Sequence, residues 1–252
     1  YKMSENSKFN AAILIIGNEI LSGRTQDTNT STLATWLNSL GVKVLEVRVI
    51  PDVEQTIISS VNLLRKQYTY VFTSGGIGPT HDDITSESVS KAFELPYERH
   101  EEGYKILEAY YKPGEFNDGR QKMIWMPKGA KLILNPTSGA PGFYVENVFV
   151  LPGVPSILKS MLGGIKNKIV GGNPILSNTI SLRTFESHIA ESLTKVQNKY
   201  QNVEIGSYPF FQAGKLGVSI VIRSDDKTLI NKCTLDIMSF VKEKQIEVVN
   251  RD

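Results

Sequence analysis

The sequence predicts an α/β protein in two parts, a doubly wound, mostly parallel sheet followed by a small α+β domain. Three observations carry that expectation. The run AAILIIG, Ala11 to Gly17, is apolar without alternation, as a strand covered on both faces requires. Strand-like and helix-like patterns then alternate with short connections, which implies right-handed βαβ units. After a stretch rich in Gly, Asn and Pro, Ile169 to Pro174, the order changes to strand, helix, strand, strand, helix, strand.

The elements follow in order. AAILIIG is the first strand, and NEILSGRTQDTN after it reads as a polar loop. From about Thr28, Leu33, Leu37 and Leu40 recur at helical spacing and Gly41 supplies a stop. KVLEVRVI is a strand, VEQTIISSVNLLRK puts Ile57, Ile58, Val61 and Leu64 on one helical face, and YVFTS is the third strand. ITSESVSKAF spaces Val89, Ala92 and Phe93 as a helix. Two helices are expected between Tyr97 and Met126, with GEFNDGR as a mobile connection between them. KLILN reads as a strand, NPTSGAPG as a rigid loop, FYVENVFV as a hairpin or one bent strand, and Pro155 as the first turn of a helix. Beyond the break come NTISLRTF, SHIAESLTKVQNKY, VEIGSYPF, KLGVSIVIRS, KTLINKCTLDIMSFVKEK and IEVV, a ferredoxin-like βαββαβ order. The expected domains are 9–169 and 174–252.

Composition narrows the function classes. The 252 residues are 40% apolar, enough for a sizeable core. Lys and Arg number 28 against 26 Asp and Glu, a formal charge of +2 without a basic block, so nucleic acid is not an expected partner. Cys233, the single cysteine, excludes an internal disulfide and suits a reducing, cytoplasmic compartment, where it reads as a small apolar helix residue. YKMSENSKFN leads straight into the first strand with no signal-peptide pattern, and Tyr1 and Lys2 ahead of Met3 are set aside from fold reasoning. No segment reaches the roughly 20 apolar residues of a membrane span, so no membrane role is expected.

Ligands of doubly wound sheets bind outside the carboxyl ends of the strands. That rule places NEILSG and TSGGIGPTHDDITSE on one rim. Gly75, Gly76 and Gly78 permit positive φ and close approach of a phosphate, or they simply make a tight turn. The spacing matches neither a Walker lysine motif nor a dinucleotide fingerprint. Asp82 and Asp83 stand where an anion would dock. Either acid serves an Asx turn or a helix cap, but with Glu19 and Asp27 on the same rim they form a set of carboxylates that a divalent cation would neutralise. Such an ion, with carboxylates and substrate phosphate around it, points to phosphate-ester or pyrophosphate chemistry. His81 could contact ligand or face solvent, and His100 and His188 lie in helical patterns. Arg24 and Arg120 read as phosphate contacts or as surface charge, and Trp36 and Trp125 as core or interface residues.

Five ordered motifs, GNEILSG, DTN, SGGIGPTHDDIT, NPTSGAPGF and LPGVP, resemble the molybdopterin-binding-like domain of the competence/damage-inducible CinA family, which also forms the N-terminal half of eukaryotic FAD synthases. The resemblance spans about residues 10 to 168, and SLRTFES and SYPF extend it into the following small domain. It implies a three-layer, molybdopterin-biosynthesis-type fold in a homo-oligomer, with ligand at the GGIGPTHDD rim. It also implies metal-dependent hydrolysis of ADP-ribose, or of FAD as in related domains. Carried over position by position, the site comprises Asn18, Glu19, Asp27, Asn29, Gly75, Gly76, Gly78, Pro79, Thr80, Asp82, Asp83 and Thr85. Gly139, Ala140, Pro141 and Gly142 line or support it, as do Pro152, Gly153 and Pro155. Asp27, Asp82 and Asp83 are the candidate metal ligands. Ser74 and Ile77 are mild departures from the commoner Thr and Leu. Relatives continue into a deamidase or an adenylyltransferase domain that is not seen before Asp252, so neither deamidation nor FAD synthesis is expected.

Two functions follow as expectations. One is a pyrophosphatase dependent on Mg²⁺, Mn²⁺ or Co²⁺ and acting on ADP-ribose or a related dinucleotide, with Glu19, Asp27, Asp82 and Asp83 organising metal and water. The other is a module that binds molybdopterin, or another pterin phosphate, without cleaving nucleotides.

Overall fold

The computed structural model describes residues 9–212 and 214–249, so the N-terminal decapeptide's first eight residues lie outside it. The chain divides into two compact units, one ending at Gly172 and the other beginning at Asn173.

The first unit starts with β1 (Asn10–Ile16), α1 (Asn18–Leu21), α2 (Asn29–Ser39), β2 (Lys43–Ile50), α3 (Glu54–Gln67), β3 (Tyr70–Ser74) and α4 (Thr85–Ala92). It continues with β4 (Tyr97–Arg99), α5 (Glu101–Tyr110), α6 (Asp118–Lys122), β5 (Trp125–Pro127), β6 (Lys131–Ile133), β7 (Gly142–Val145), β8 (Val148–Leu151) and α7 (Pro155–Ile165). The main sheet has the order β2-β1-β3-β8-β7-β6. β2, β1, β3 and β8 run parallel, and only β7 opposes its neighbours.

Alternation along β1 explains the three layers. Ala11, Ile13 and Ile15 pack with Leu33, Leu37, Leu158 and Met161 from α2 and α7. Ala12, Leu14 and Ile16 pack on the other face with Ile57, Val61, Leu64 and Val89 from α3 and α4. A strand that buries both faces has no polar side to display, which is why its sequence is uniformly apolar.

FYVENVFV is the hairpin β7–β8, and Pro155 is the first residue of α7. Four details differ from the expectation. NEILSG contains a helical turn, α1, because the Ile20 and Leu21 amides turn back to the Gly17 carbonyl. The second helix of the 97–126 segment, α6, begins inside GEFNDGR, where the Asn117 side chain caps it by accepting from the Arg120 amide. His100 is not within a helix but caps α5, its Nδ1 accepting from the Gly103 amide while Nε2–H donates to the Ala130 carbonyl. The ribbon β4–β5, which sequence reasoning passed over, has strands of only three residues.

The second unit contains β9 (Leu176–Leu182), α8 (Glu186–Lys199), β10 (Glu204–Gln212), β11 (Lys215–Ser224), α9 (Lys227–Glu243) and β12 (Val248–Val249). Its antiparallel sheet has the order β10-β11-β9-β12, the arrangement that a ferredoxin-like βαββαβ chain adopts. Ile180, Leu182, Ile220 and Ile222 face Ile189, Ile237 and the fully buried Cys233. Burial pushes the Cys233 thiol up to about 11. Among the described residues, no helix is long and apolar enough to cross a membrane.

Candidate functional site

Four parallel strands end side by side, and each hands the chain to a loop. After β1 the Gly17 amide donates to the Ile50 carbonyl, and after β3 the Gly75 amide donates to the Leu151 carbonyl. A Cβ on Gly75 would sit 2.1 Å from the Ile16 carbonyl oxygen, and its φ of +109° suits glycine alone. A Cβ on Gly153 would lie 3.4 Å from the Gly75 Cα, so the loops after β3 and β8 run close together.

The glycine loop is held at both ends and leaves its middle amides uncommitted. Thr85, at the start of α4, donates its amide to the Gly76 carbonyl at 2.9 Å. Thr80 donates its amide to Asp83 Oδ2 at 2.8 Å. Between these anchors, the amides of Gly76, Ile77 and Gly78 take no acceptor among the described residues. Three successive N–H groups beside a helix start form the kind of concavity that binds anions. The Thr85 hydroxyl is buried without a hydrogen-bond partner and lies where a Gly76 Cβ would be, 2.2 Å away.

The two aspartates meet at one hydroxyl. Thr80 Oγ1 lies 2.6 Å from Asp82 Oδ1 and 2.5 Å from Asp83 Oδ2. That hydroxyl holds the exposed Asp82 carboxyl below its ordinary range, with smaller help from His81 and Lys122. Lys122 of α6 also donates to the Thr80 carbonyl. Asp83 thus closes the loop and fills the space beside Gly78, where a Cβ would lie 2.6 Å from its carboxylate.

The four expected acids do not converge. Among the described residues, no three His, Cys, Asp or Glu side chains form a group that could hold a metal. Asp27 Oδ1 instead accepts from the Asn29 and Thr30 amides and so caps α2. Glu19 folds back over Gly17, its carboxylate within 2.6 Å of where a Cβ would stand. Asp27 is held apart for a local reason: a short acidic side chain before a helix finds backbone donors nearer than another carboxylate.

Asn29 is placed by the structure as a clamp. It is 5% exposed, and its amide nitrogen donates to Ser74 Oγ at 2.9 Å and to the Gly153 carbonyl at 2.7 Å. Ser74 passes its own proton to the Pro152 carbonyl. The start of α2 and the loops after β3 and β8 are therefore tied together beneath the rim. Asn29 Oδ1 remains buried and unpartnered among the described residues.

The remaining expected residues divide in the same way. The Asn18 amide donates to Asp52 Oδ2, an acid on the loop after β2 that sequence reasoning missed although it directly follows a strand end. Pro79 is exposed and borders α6, where Gly119 approaches its carbonyl. Ala140 accepts from the Asn135 side chain, Pro141 is buried, and a Cβ on Gly142 would strike the Val150 carbonyl. Gly139 packs against the Tyr110 ring. Arg120 stacks 4.1 Å over Tyr111 and donates to the Glu115 carbonyl, which occupies it away from any phosphate.

A doubly wound three-layer sheet with a glycine-rich rim, followed by a ferredoxin-like unit, defines a molybdopterin-binding-type protein with an appended α+β domain. Residues 12–171 match the family described as a probable molybdopterin binding domain, and residues 174–250 match the FAD synthase middle domain. A protein of Archaeoglobus fulgidus is 32% identical across 92% of this chain and 98% of its own length. A CinA-like protein of Prochlorococcus marinus is 31% identical across 91% of this chain, which spans 56% of that protein. The crystal structure of the protein CinA from Thermoplasma acidophilum, described as of unknown function, superposes with a TM-score of 0.60 at 30% identity, covering 64% of this chain and 99% of the other. The chain belongs to the CinA family.

Proposed function

We infer that the chain is a divalent-cation-dependent pyrophosphatase, acting in the cytoplasm on ADP-ribose or a related dinucleotide such as FAD. The observation that carries this reading is the run of uncommitted amides at Gly76, Ile77 and Gly78 next to two carboxylates that meet at the Thr80 hydroxyl. Amides alone suit any anion. Amides beside paired carboxylates suit a diphosphate that arrives with a cation.

The donor set fits a hard ion of the Mg²⁺ type, which needs only one or two carboxylates when phosphate and water complete its shell. Asp82 and Asp83 would hold it, and when bound it would supply charge neutralisation and an acidified water. The chain's own contribution is positional. The three amides orient the diphosphate, α4 directs its positive end to the same loop, and the Asn29 clamp keeps the loops after β3 and β8 in register.

The test is incubation with ADP-ribose or FAD in Mg²⁺, Mn²⁺ or Co²⁺, with AMP release followed chromatographically and Asp83→Asn as the control. Metal-dependent AMP above that control supports the reading. Tight molybdopterin binding with no nucleotide turnover would replace it by a pterin-binding module.

A further inference from the structure

We propose that Tyr110 is the stacking platform for the base of the nucleotide, making this an aromatic-base-selective site rather than a general diphosphate site. The proposal rests on the nucleotide-diphosphate reading above and adds a residue that no motif of the rim contains.

Tyr110 ends α5, and the residue is 53% exposed. The ring is not loose. It lies against Gly139, where a Cβ would come within 2.7 Å of it, and it meets Tyr111 edge-on at 5.1 Å with an interplanar angle of 89°. Tyr111 is stacked in turn on Phe116 and capped by the Arg120 guanidinium. A ring braced on one side and open on the other offers a π face at small entropic cost.

Its position suits the base of a nucleotide whose phosphates sit in the glycine loop. β7 begins at Gly142 beside the end of β8, so the 135–141 loop that carries Gly139 opens on the same rim as Pro152. From Gly75 after β3, past Gly153 after β8, to that loop is two strand spacings, about 10 Å. In an extended nucleoside diphosphate, the ribose and the first phosphate together span a comparable distance between the base and the second phosphate. α6 closes the other side, bringing Gly119 to Pro79 and Lys122 to Thr80, so the aromatic cluster and the glycine loop share one wall. The absence of a Cβ at Gly139 is what lets the ring approach the backbone closely.

The test is equilibrium binding of AMP and of ribose 5-phosphate to the full chain, with ADP-ribose hydrolysis measured separately. The wild type is expected to bind AMP about tenfold tighter than ribose 5-phosphate. Tyr110→Phe should keep that preference, while Tyr110→Ala should erase it and leave ribose 5-phosphate binding unchanged. Tyr110→Leu, which retains apolar bulk against Gly139 without a π face, should lose it too and guards against a fold defect in the alanine variant. A wild type with no preference for the base, or a preference intact in both Tyr110→Ala and Tyr110→Leu, would overturn the proposal. Hydrolysis separates the two readings. Cleavage of ADP-ribose with KM unchanged in Tyr110→Leu removes the platform and leaves the pyrophosphatase, whereas base preference without cleavage does the reverse.

Discussion

Replacing Asn29 by alanine should cost about 2–3 kcal/mol of stability, and the loss should come from the rim rather than from the core. Asn29 gives two hydrogen bonds, to Ser74 Oγ and the Gly153 carbonyl, both from one amide nitrogen. Each neutral bond contributes about 1 kcal/mol net, and truncating a buried side chain adds a smaller cavity cost. With a denaturant slope of about 2 kcal/mol per molar, the urea midpoint should fall by about 1 M. The two tryptophans, Trp36 and Trp125, both lie in the first unit, so fluorescence follows the right transition. Trp36 meets Phe72 edge-on at 6.0 Å, which makes it sensitive to loss of packing there. Ser74→Ala should cost a similar amount, because it removes both the Asn29 bond and the bond to the Pro152 carbonyl while leaving the Gly153 bond in place. The double variant should cost less than the two together, since they share a bond. A change below about 0.5 kcal/mol in Asn29→Ala would refute the clamp.

Gly75→Ala should destabilise the same unit by about 2–5 kcal/mol, because the new methyl meets the Ile16 carbonyl and the backbone sits at positive φ. An unchanged urea midpoint would show that the loop can relax. Cys233 should resist alkylation in the native protein and react fully in denaturant, as a buried thiol raised to about 11 requires, so rapid native labelling would contradict its placement. Lys199 and then Tyr200 hold the Asp236 carboxyl below its ordinary value of 3.8. A carboxyl depressed on folding stabilises above its unfolded pKa and loses that effect as pH falls through the folded one. The melting temperatures of wild type and Asp236→Asn should therefore differ near neutral pH and converge below about pH 4. A gap that widens on acidification would reverse the assignment.

Periodicity exposed the parallel strands because burial on both faces leaves no choice of residue, as in AAILIIG. The βαββαβ order of the second unit was equally plain, since each helix there carries a regular apolar stripe such as Ile230, Cys233 and Ile237. The ribbon β4–β5 was not, because three-residue strands carry too few side chains to show alternation. At the site, sequence identified the rim and its glycines, which backbone geometry demands. It did not distinguish a carboxylate that closes a loop from one that caps a helix. Asp27 and Asp83 look alike in sequence, yet one serves the α2 amides and the other the Thr80 amide and hydroxyl. Asn29, Asp52 and Tyr110 owe their roles to partners between 29 and 124 positions away, and no local pattern records such partners.

The central claim is that a cation joins the diphosphate to the two aspartates beside the glycine loop. The most direct measurement is calorimetric titration of a non-hydrolysable α,β-methylene analogue of ADP-ribose in Mg²⁺ and in chelator, for the wild type and for Asp82→Asn, which keeps an acceptor for the Thr80 hydroxyl while removing the charge. Binding that tightens about tenfold or more with Mg²⁺ in the wild type, and much less in the variant, is the expected result. Equal affinity with and without Mg²⁺ in the wild type would contradict it.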